Sequence, residues 1–268
     1  MSQSWSGKRV VVIGGSAGLG LAIARKFAAQ GAKLILVARD ENRLRIAAET
    51  IGGDILTIAA DVTRDDDVER MTATIHQELG DVDVVACVAG KSDRGKVLDT
   101  SPEQMQQLLE LNFLSVVRCT RALAPSLRRR RGHLVLIGSL ASKSATRFLG
   151  AYPASKFPLA AYAQQLRLEV PHDELNVLLV CPGPIRRDDA GVRYAQQAAD
   201  LPESAKSPGG GVKLKGLDPD DLARRIVVAC ERRKLELVIP GRARLLFAIS
   251  ALFPALGDWI LSKMMRSS

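Results

Sequence analysis

The chain has 268 residues, 47% of them hydrophobic and 25% charged. These are the proportions of a folded globular protein, and they exclude disordered and fibrous classes. Lys and Arg number 38 against 29 Asp and Glu, a formal charge of +9, while aromatic residues make up only 4%. A basic balance admits nucleic acid, an anionic membrane or a phosphorylated ligand. The shortage of rings for stacking bases argues against the first, so no nucleic-acid partner is expected. Cys87, Cys119, Cys181 and Cys230 form no CxxC pair, and His76, His133 and His172 show no ligand spacing. Neither a disulfide framework nor a metal site is expected, and a reducing compartment suits the chain. Met1–Lys8 is polar and lacks the apolar stretch of a secretory leader, so a cytoplasmic location is expected.

The first two-thirds of the chain alternates short apolar runs with segments of helical spacing. Strands are predicted at Arg9–Ile13, Lys33–Ala38, Ile55–Ala59, Val82–Val88, His133–Gly138 and Asn176–Cys181. Helices are predicted at Leu21–Gln30, Glu41–Thr50, Asp65–Leu79, Pro102–Arg131 and Pro153–Val170. The 102–131 stretch is expected to break near Asn112 or Pro125. Pro158, two residues after Lys156, should distort the helix it lies in, because an interior proline removes a hydrogen bond. Nearly continuous apolar strands alternating with helices mean a doubly wound parallel sheet covered on both faces. Arg128–Arg131 stands at a predicted helix C-terminus, where cations suit the helix dipole. A solvated cap is the main reading of that run, and a nucleic-acid or lipid-headgroup patch the minor one.

Residues 186–217 are polar and rich in Gly and Pro, and read as a lid or substrate loop within one domain spanning 1–240. Asp218–Arg233 follows as a helix and Leu235–Ile239 as a strand. The segment 241–268 is an apolar C-terminal extension. Leu245–Phe253 is apolar for nine residues, Pro254 interrupts it, and Trp259, Ile260, Leu261, Met264 and Met265 continue it between Arg242 and Arg244 on one side and Lys263 and Arg266 on the other. Spanning a bilayer needs about 20 apolar residues. Three roles stay open: a core or dimer-interface helix, a cover for an apolar substrate pocket, or a peripheral membrane contact through 242–266.

Two motifs carry chemistry. Gly14-Gly15-Ser16-Ala17-Gly18-Leu19-Gly20 follows a strand and opens a helix. Glycines there permit a tight turn and close approach of backbone to a pyrophosphate, which the helix N-terminus then binds. The next strand ends Ala38-Arg39, where an NAD-binding chain would carry a carboxylate. A guanidinium at that place favours NADP(H) over NAD(H), with Ser16 assisting, and Asp40 is expected to point outward. Further on, Tyr152 and Lys156 lie one helical turn apart. A tyrosine ordinarily titrates near pH 10. A neighbouring ammonium would lower that value and let the phenol exchange a proton with a carbonyl or alcohol.

With these motifs in this order, the chain resembles the short-chain dehydrogenase/reductase family over about residues 7–185 and 218–240. Gly15, Gly18 and Gly20 match its glycine motif, Asp61 its acid after the third strand, and Asn112, Ser139, Tyr152 and Lys156 its catalytic set. Pro182-Gly183 matches the turn beside the nicotinamide. The Gly14-Gly15-Ser16 run and Leu36-Val37-Ala38-Arg39 resemble the membrane-associated lipid-keto reductases of the family. The resemblance implies a Rossmann-type fold and hydride transfer between NADP(H) and a carbonyl or alcohol of a small, apolar substrate. It implies a cofactor cradle of Gly15, Ser16, Gly18, Leu19, Gly20, Arg39, Asp61, Val62, Ala89, Gly90, Tyr152, Lys156, Pro182, Gly183 and Ile185. In the roles implied, Tyr152 is the acid/base, Lys156 lowers its pKa, Ser139 holds the substrate oxygen, and Asn112 anchors a water. A homodimer or homotetramer paired through the 102–130 and 153–170 helices is also implied. Two positions depart from the family. Cys87-Val88-Ala89-Gly90 replaces its Asn-Asn-Ala-Gly, and Arg187 replaces a threonine. These departures keep a second class of reading open, a non-catalytic dinucleotide sensor or a membrane-surface interaction protein.

Overall fold

The computed structural model describes residues 5–187, 194, 197–202, 205 and 215–266. Seven strands form one parallel sheet in the order β3-β2-β1-β4-β5-β6-β7. They are β1 (Arg9–Ile13), β2 (Lys33–Ala38), β3 (Ile55–Ala59), β4 (Val84–Cys87), β5 (His133–Ile137), β6 (Asn176–Pro182) and β7 (Glu236–Ile239). Helices α1 (Gly18–Ala28), α2 (Glu41–Ile51) and α7 (Pro219–Glu231) cover one face. Helices α3 (Asp65–Leu79), α5 (Ser115–Arg129) and α6 (Tyr152–Glu169) cover the other, with α4 (Pro102–Leu109) leading into α5. Successive strand residues point to opposite faces. Along β1, Val10 and Val12 enter the first core layer, and Val11 and Ile13 enter the second. Both faces are therefore apolar, as the sequence pattern requires. The strand order reverses between β1 and β4, and the crevice at that reversal is where such sheets bind ligands.

Local chemistry sets the helix ends. Ser101 and Gln104 form a reciprocal capping box at α4. Asp218 accepts hydrogen bonds from the backbone of Asp220 and Asp221 at α7. Three aspartates, Asp65, Asp66 and Asp67, occupy the first turn of α3, where the helix dipole favours negative charge. The expected break near Asn112 is a single π-helical turn, Glu110–Leu114, between α4 and α5. Helix α5 runs on through Pro125. Helix α6 also runs unbroken through Pro158, contrary to the distortion expected there. The carbonyl that Pro158 leaves unpaired belongs to Ala154, an exposed residue that water can reach.

The arginine run is more than a solvated cap. Arg128 pairs with Glu174, Arg129 forks onto Asp81 at 2.6 and 2.9 Å, and Arg130 reaches Asp83 at 3.2 Å. The run ties the end of α5 to neighbouring loops. The Arg129 fork holds the Asp81 carboxyl down to about 2. The expected lid over 186–217 lies mostly outside the described residues. After β7 come α8 (Ala243–Leu252) and α9 (Pro254–Arg266), two helices meeting at Phe253-Pro254. Gly257 sits against Ser250 so closely that a Cβ there would stand 2.3 Å from the Ser250 hydroxyl.

Candidate active site

The turn after β1 is built from glycines that steric contact makes obligatory. Gly14 has φ of +86°, and a Cβ on it would meet the Ala89 nitrogen at 2.7 Å. A Cβ on Gly20 would lie 2.0 Å from the Gly14 oxygen. Gly18, at φ +52°, has open space where its Cβ would point. No side chain caps the start of α1, and its first turn holds no acid. The turn thus offers free N–H groups, positive dipole and room for an anion at one point, which fits the pyrophosphate of a dinucleotide.

The turn after β4 is held by backbone. Val88 and Ala89 both donate to the Ile13 oxygen, at 2.8 and 3.0 Å, so the missing asparagines leave the turn braced. At Gly90 a Cβ would come within 2.9 Å of Asn112 Oδ1 and 3.4 Å of Lys156 Nζ. This glycine lets both side chains reach the chain. The wide π turn carries Asn112 inward, a frequent use of such turns. Asn112 is fully buried. Its Oδ1 accepts from Lys91 N, and its Nδ2 donates to Lys91 O and Ser155 Oγ, each at 2.8 Å. All three bonds go to protein groups, so the side chain acts as a brace between the β4 loop and α6.

Ser139 follows β5 and caps a short 3-10 turn, Leu140–Ser142, accepting from Ala141 N at 3.0 Å. Tyr152 and Lys156 occupy the first and second turns of α6. The start of α6 is fixed by Asp93, whose Oδ2 accepts from Ala151 N at 3.2 Å. Gly150, at φ +49°, makes room for that carboxylate. Ser139 and the Tyr152 hydroxyl line the same cavity, and the Ser139 side chain bears on the phenol's pKa. Burial pushes the phenol above its ordinary value, while the Ser139 side chain and the Arg94 charge pull it down. Lys156 is buried and donates to the Ile137 oxygen at 2.9 Å. Burial lowers its ammonium to about 8. Arg94 is thus a second cation, besides Lys156, whose charge bears on the phenol.

Arg94 is the functional candidate that sequence reasoning missed. It is buried, its Nε donates to Ala205 O at 2.8 Å, and its guanidinium lies 4.0 Å over the Tyr194 ring. The only signal was a charged Lys91-Ser92-Asp93-Arg94 loop directly after the β4 turn, which reads as solvated surface until the fold buries it.

These groups surround one cavity of about 880 Å³. Gly18, Leu19, Gly20, Ala89, Gly90, Ser139, Tyr152, Lys156, Pro182, Gly183 and Ile185 all line it. Gly15 packs against Val12 and Leu36 instead, and Asn112 stands behind the wall. Ser16, Arg39, Asp61 and Val62 lie beyond the cavity lining, at the ends of β1, β2 and β3. Arg39 is exposed and loosely paired with Asp61 at 3.9 Å. Asp61 accepts from Thr63 N and Oγ1. Asp40 caps α2 by accepting from Arg43 N, which turns it away from the β2 end as expected. The far end of the cavity is apolar, lined by Leu246, Phe247 and Ile249 of α8 and by Ile260, Leu261 and Met264 of α9. Of the three roles open for the C-terminal segment, covering the pocket is therefore one that the fold realises.

The sequence profile described as short chain dehydrogenase matches residues 8–197. The chain belongs to the short-chain dehydrogenase/reductase family. Among its relatives, dehydrogenase/reductase SDR family member 7B of Danio rerio is 34% identical over 244 residues, covering 87% of this chain and 77% of the relative. L-sorbose reductase from Gluconobacter frateurii, solved with NADPH and L-sorbose, superimposes with a TM-score of 0.78 at 26% identity, over 90% of this chain and 98% of that one. An alcohol dehydrogenase from Thermococcus sibiricus, solved with 5-hydroxy-NADP, gives a TM-score of 0.73 at 26% identity, over 87% and 95% of the two chains. Family membership and these reductase neighbours support an oxidoreductase that binds a nicotinamide dinucleotide and acts on a small molecule.

Proposed function

We propose that this protein reduces an apolar ketone or aldehyde with NADPH, using Tyr152 as the proton donor. The observation that carries the reading is the convergence of Tyr152, Ser139, Lys156 and the glycine turn on one cavity whose other end is hydrocarbon. A sensor would need the cradle but not a Tyr, a Ser and a Lys lining the pocket together.

The cradle fits the cofactor. The uncapped α1 N-terminus and Gly18 would hold the pyrophosphate, Asp61 and Val62 would border the adenine, and Arg39 with Ser16 would meet a 2′-phosphate. Ala89, Gly90 and Pro182 to Ile185 would flank the nicotinamide, whose bound form supplies the hydride. The protein's own residues manage the proton. Ser139 holds the carbonyl oxygen where negative charge develops, and Tyr152 protonates it. Lys156, a buried cation with a lowered pKa, stabilises the resulting phenolate as the proton leaves. Asn112 keeps Gly90 and α6 in register. Arg39 is held only by a loose, exposed ion pair, worth well under about 1 kcal/mol, so it can swing to a phosphate at little cost.

Two variants test the two halves of this reading. Tyr152→Phe removes one oxygen from a wall that otherwise stays intact. It is expected to lower kcat by at least about 100-fold while leaving NADPH binding within about twofold. Full activity in that variant would refute the acid/base role. Arg39→Ala is expected to weaken NADPH binding about tenfold or more and to leave NADH binding unchanged. Titration of nucleotide fluorescence reads both, and equal loss for the two nucleotides would reject NADP(H) preference.

A further inference from the structure

The α8–α9 hairpin has two faces, and only the inner one is used by the pocket. Its outer face is hydrocarbon open to solvent. Ala251, Leu252, Phe253, Pro254, Ala255 and Leu256 form an unbroken exposed run across the turn between the helices. Leu252 is 72% exposed and Phe253 62%. Trp259 extends the same apolar surface along α9, and Leu245 is exposed where the cavity opens beside it. Consecutive exposed apolar residues of this kind are a defect in a folded surface unless something covers them. The hairpin is also preorganised. Gly257 packs directly on Ser250, which locks the two helices together at the tip.

The charges beside this face point to its occupant. Arg242 at the cavity rim, Arg244 and Lys263 are exposed on the hairpin, and Asp258 is its one acid. Arg244 also reaches Glu236 at 3.7 Å, at the edge of β7. The Lys263 ammonium stands 5.1 Å from the Trp259 ring. A tryptophan with a lysine beside it, flanking an apolar tip, is the arrangement that seats a helix at a lipid–water boundary, with the ring at headgroup depth and the amine among phosphates. A second copy of the same basic face would bring like charges together. Among the described residues no helix is long and apolar enough to cross a membrane, so a contact of this kind would be interfacial.

We propose that the α8–α9 hairpin docks on an anionic lipid bilayer and that the cavity receives its substrate from that bilayer. The tip residues Leu252 and Phe253 enter the acyl boundary, and Arg242, Arg244 and Lys263 meet the headgroups. The same two helices line the apolar end of the cavity from their other face. A membrane-dissolved ketone with a long apolar chain therefore reaches the cavity along the hairpin that docks it. Docking stands on the hairpin alone. Delivery rests on the hydride-transfer reading above.

Vesicle flotation of the full chain tests docking, with phosphatidylcholine vesicles set against mixed phosphatidylcholine–phosphatidylglycerol vesicles. Binding to the anionic vesicles is expected to exceed binding to the neutral ones about tenfold, and salt should weaken it. Trp259 emission should shift to the blue on binding. The other tryptophan, Trp5, is buried and hydrogen-bonded to Glu231, so it reports nothing of the contact. Leu252→Asp with Phe253→Asp alters exposed side chains outside the cavity lining, and should abolish flotation without loss of thermal stability. A wild-type chain that stays off both vesicles overturns docking. So does a wild-type dimer in light scattering that these substitutions convert to monomer, which would assign the face to a second copy. Delivery is read by comparing a long-chain ketone held in vesicles with a short water-soluble ketone. The double variant should lose at least about tenfold in rate on the first and nothing on the second. Equal rates on both ketones overturn delivery. Flotation without turnover of either ketone leaves docking in place and overturns the hydride-transfer reading instead.

Discussion

The two ends of the cavity are made of different material. At the cofactor end the wall is main chain: Gly14, Gly18, Gly20 and Gly90, the bare N-terminus of α1, and turns that donate to Ile13 O. At the far end the wall is side chain, from Leu246 and Ile249 of α8 and Ile260 and Leu261 of α9. Backbone presents the same N–H groups whatever the sequence around it, so it suits a ligand part with fixed geometry such as a pyrophosphate. Side chains can be exchanged without disturbing the sheet, so they suit the variable part of a substrate. Arg94 and Tyr152 also line the cavity, a charge from one loop beside a phenol at the start of α6.

The comparison is most sharply broken at Gly20. Gly20→Ala puts a methyl group 2.0 Å from a backbone oxygen that cannot move without shifting β1. The expected cost is about 3 kcal/mol in thermal unfolding, with dinucleotide binding lost. If the variant unfolds at the wild-type temperature and binds NADPH, the main-chain account of this end is wrong.

A smaller effect is expected at Arg94, in a property that stability does not report. Its positive charge favours the Tyr152 phenolate and so lowers the phenol's pKa. Removing the charge in Arg94→Gln raises that pKa. In reduction the neutral phenol is the active form, and activity falls as pH rises through its pKa. The alkaline limb of the kcat profile should therefore move to higher pH. A limb that stays in place, or moves to lower pH, would mean that Arg94 only supports the loop around Ala205 and Tyr194.

Much of the framework was legible because local rules and the global fold agree. Helix α3 is read from its apolar spacing and its three leading aspartates, and it forms over the expected residues, Asp65–Leu79. Helix α7 is read from Asp218 and Pro219 at its start. The glycine turn, Ser139, Tyr152 and Lys156 were legible as motifs with their spacing. The pairing of chemistry within the site was not. The i,i+4 spacing of Tyr152 and Lys156 gives no sign that the Lys156 ammonium also donates to Ile137 O on β5. Arg94 looks like one more surface cation in a basic chain, and the fold brings Ala205 and Tyr194, about a hundred residues on, against its buried side chain. Arg128 to Arg130 read as a cap, and their partners Glu174, Asp81 and Asp83 lie 46 to 48 residues away for those bonded across the longest spans.

By itself the sequence determined the strand and helix alternation, the apolar character of both sheet faces, the glycine turn and the spacing of Ser139, Tyr152 and Lys156. Each of these depends on periodicity or on a chemical type at a fixed spacing within a few turns of chain. Tertiary structure alone decided that Arg94 is buried beside Ala205 and Tyr194, that Asn112 braces Lys91 and Ser155, and that α8 and α9 turn one face to the cavity and the other outward. Those facts depend on which distant segments touch. Contacts of that range are set by the closure of the whole sheet and its helical layers, which no short stretch of sequence encodes.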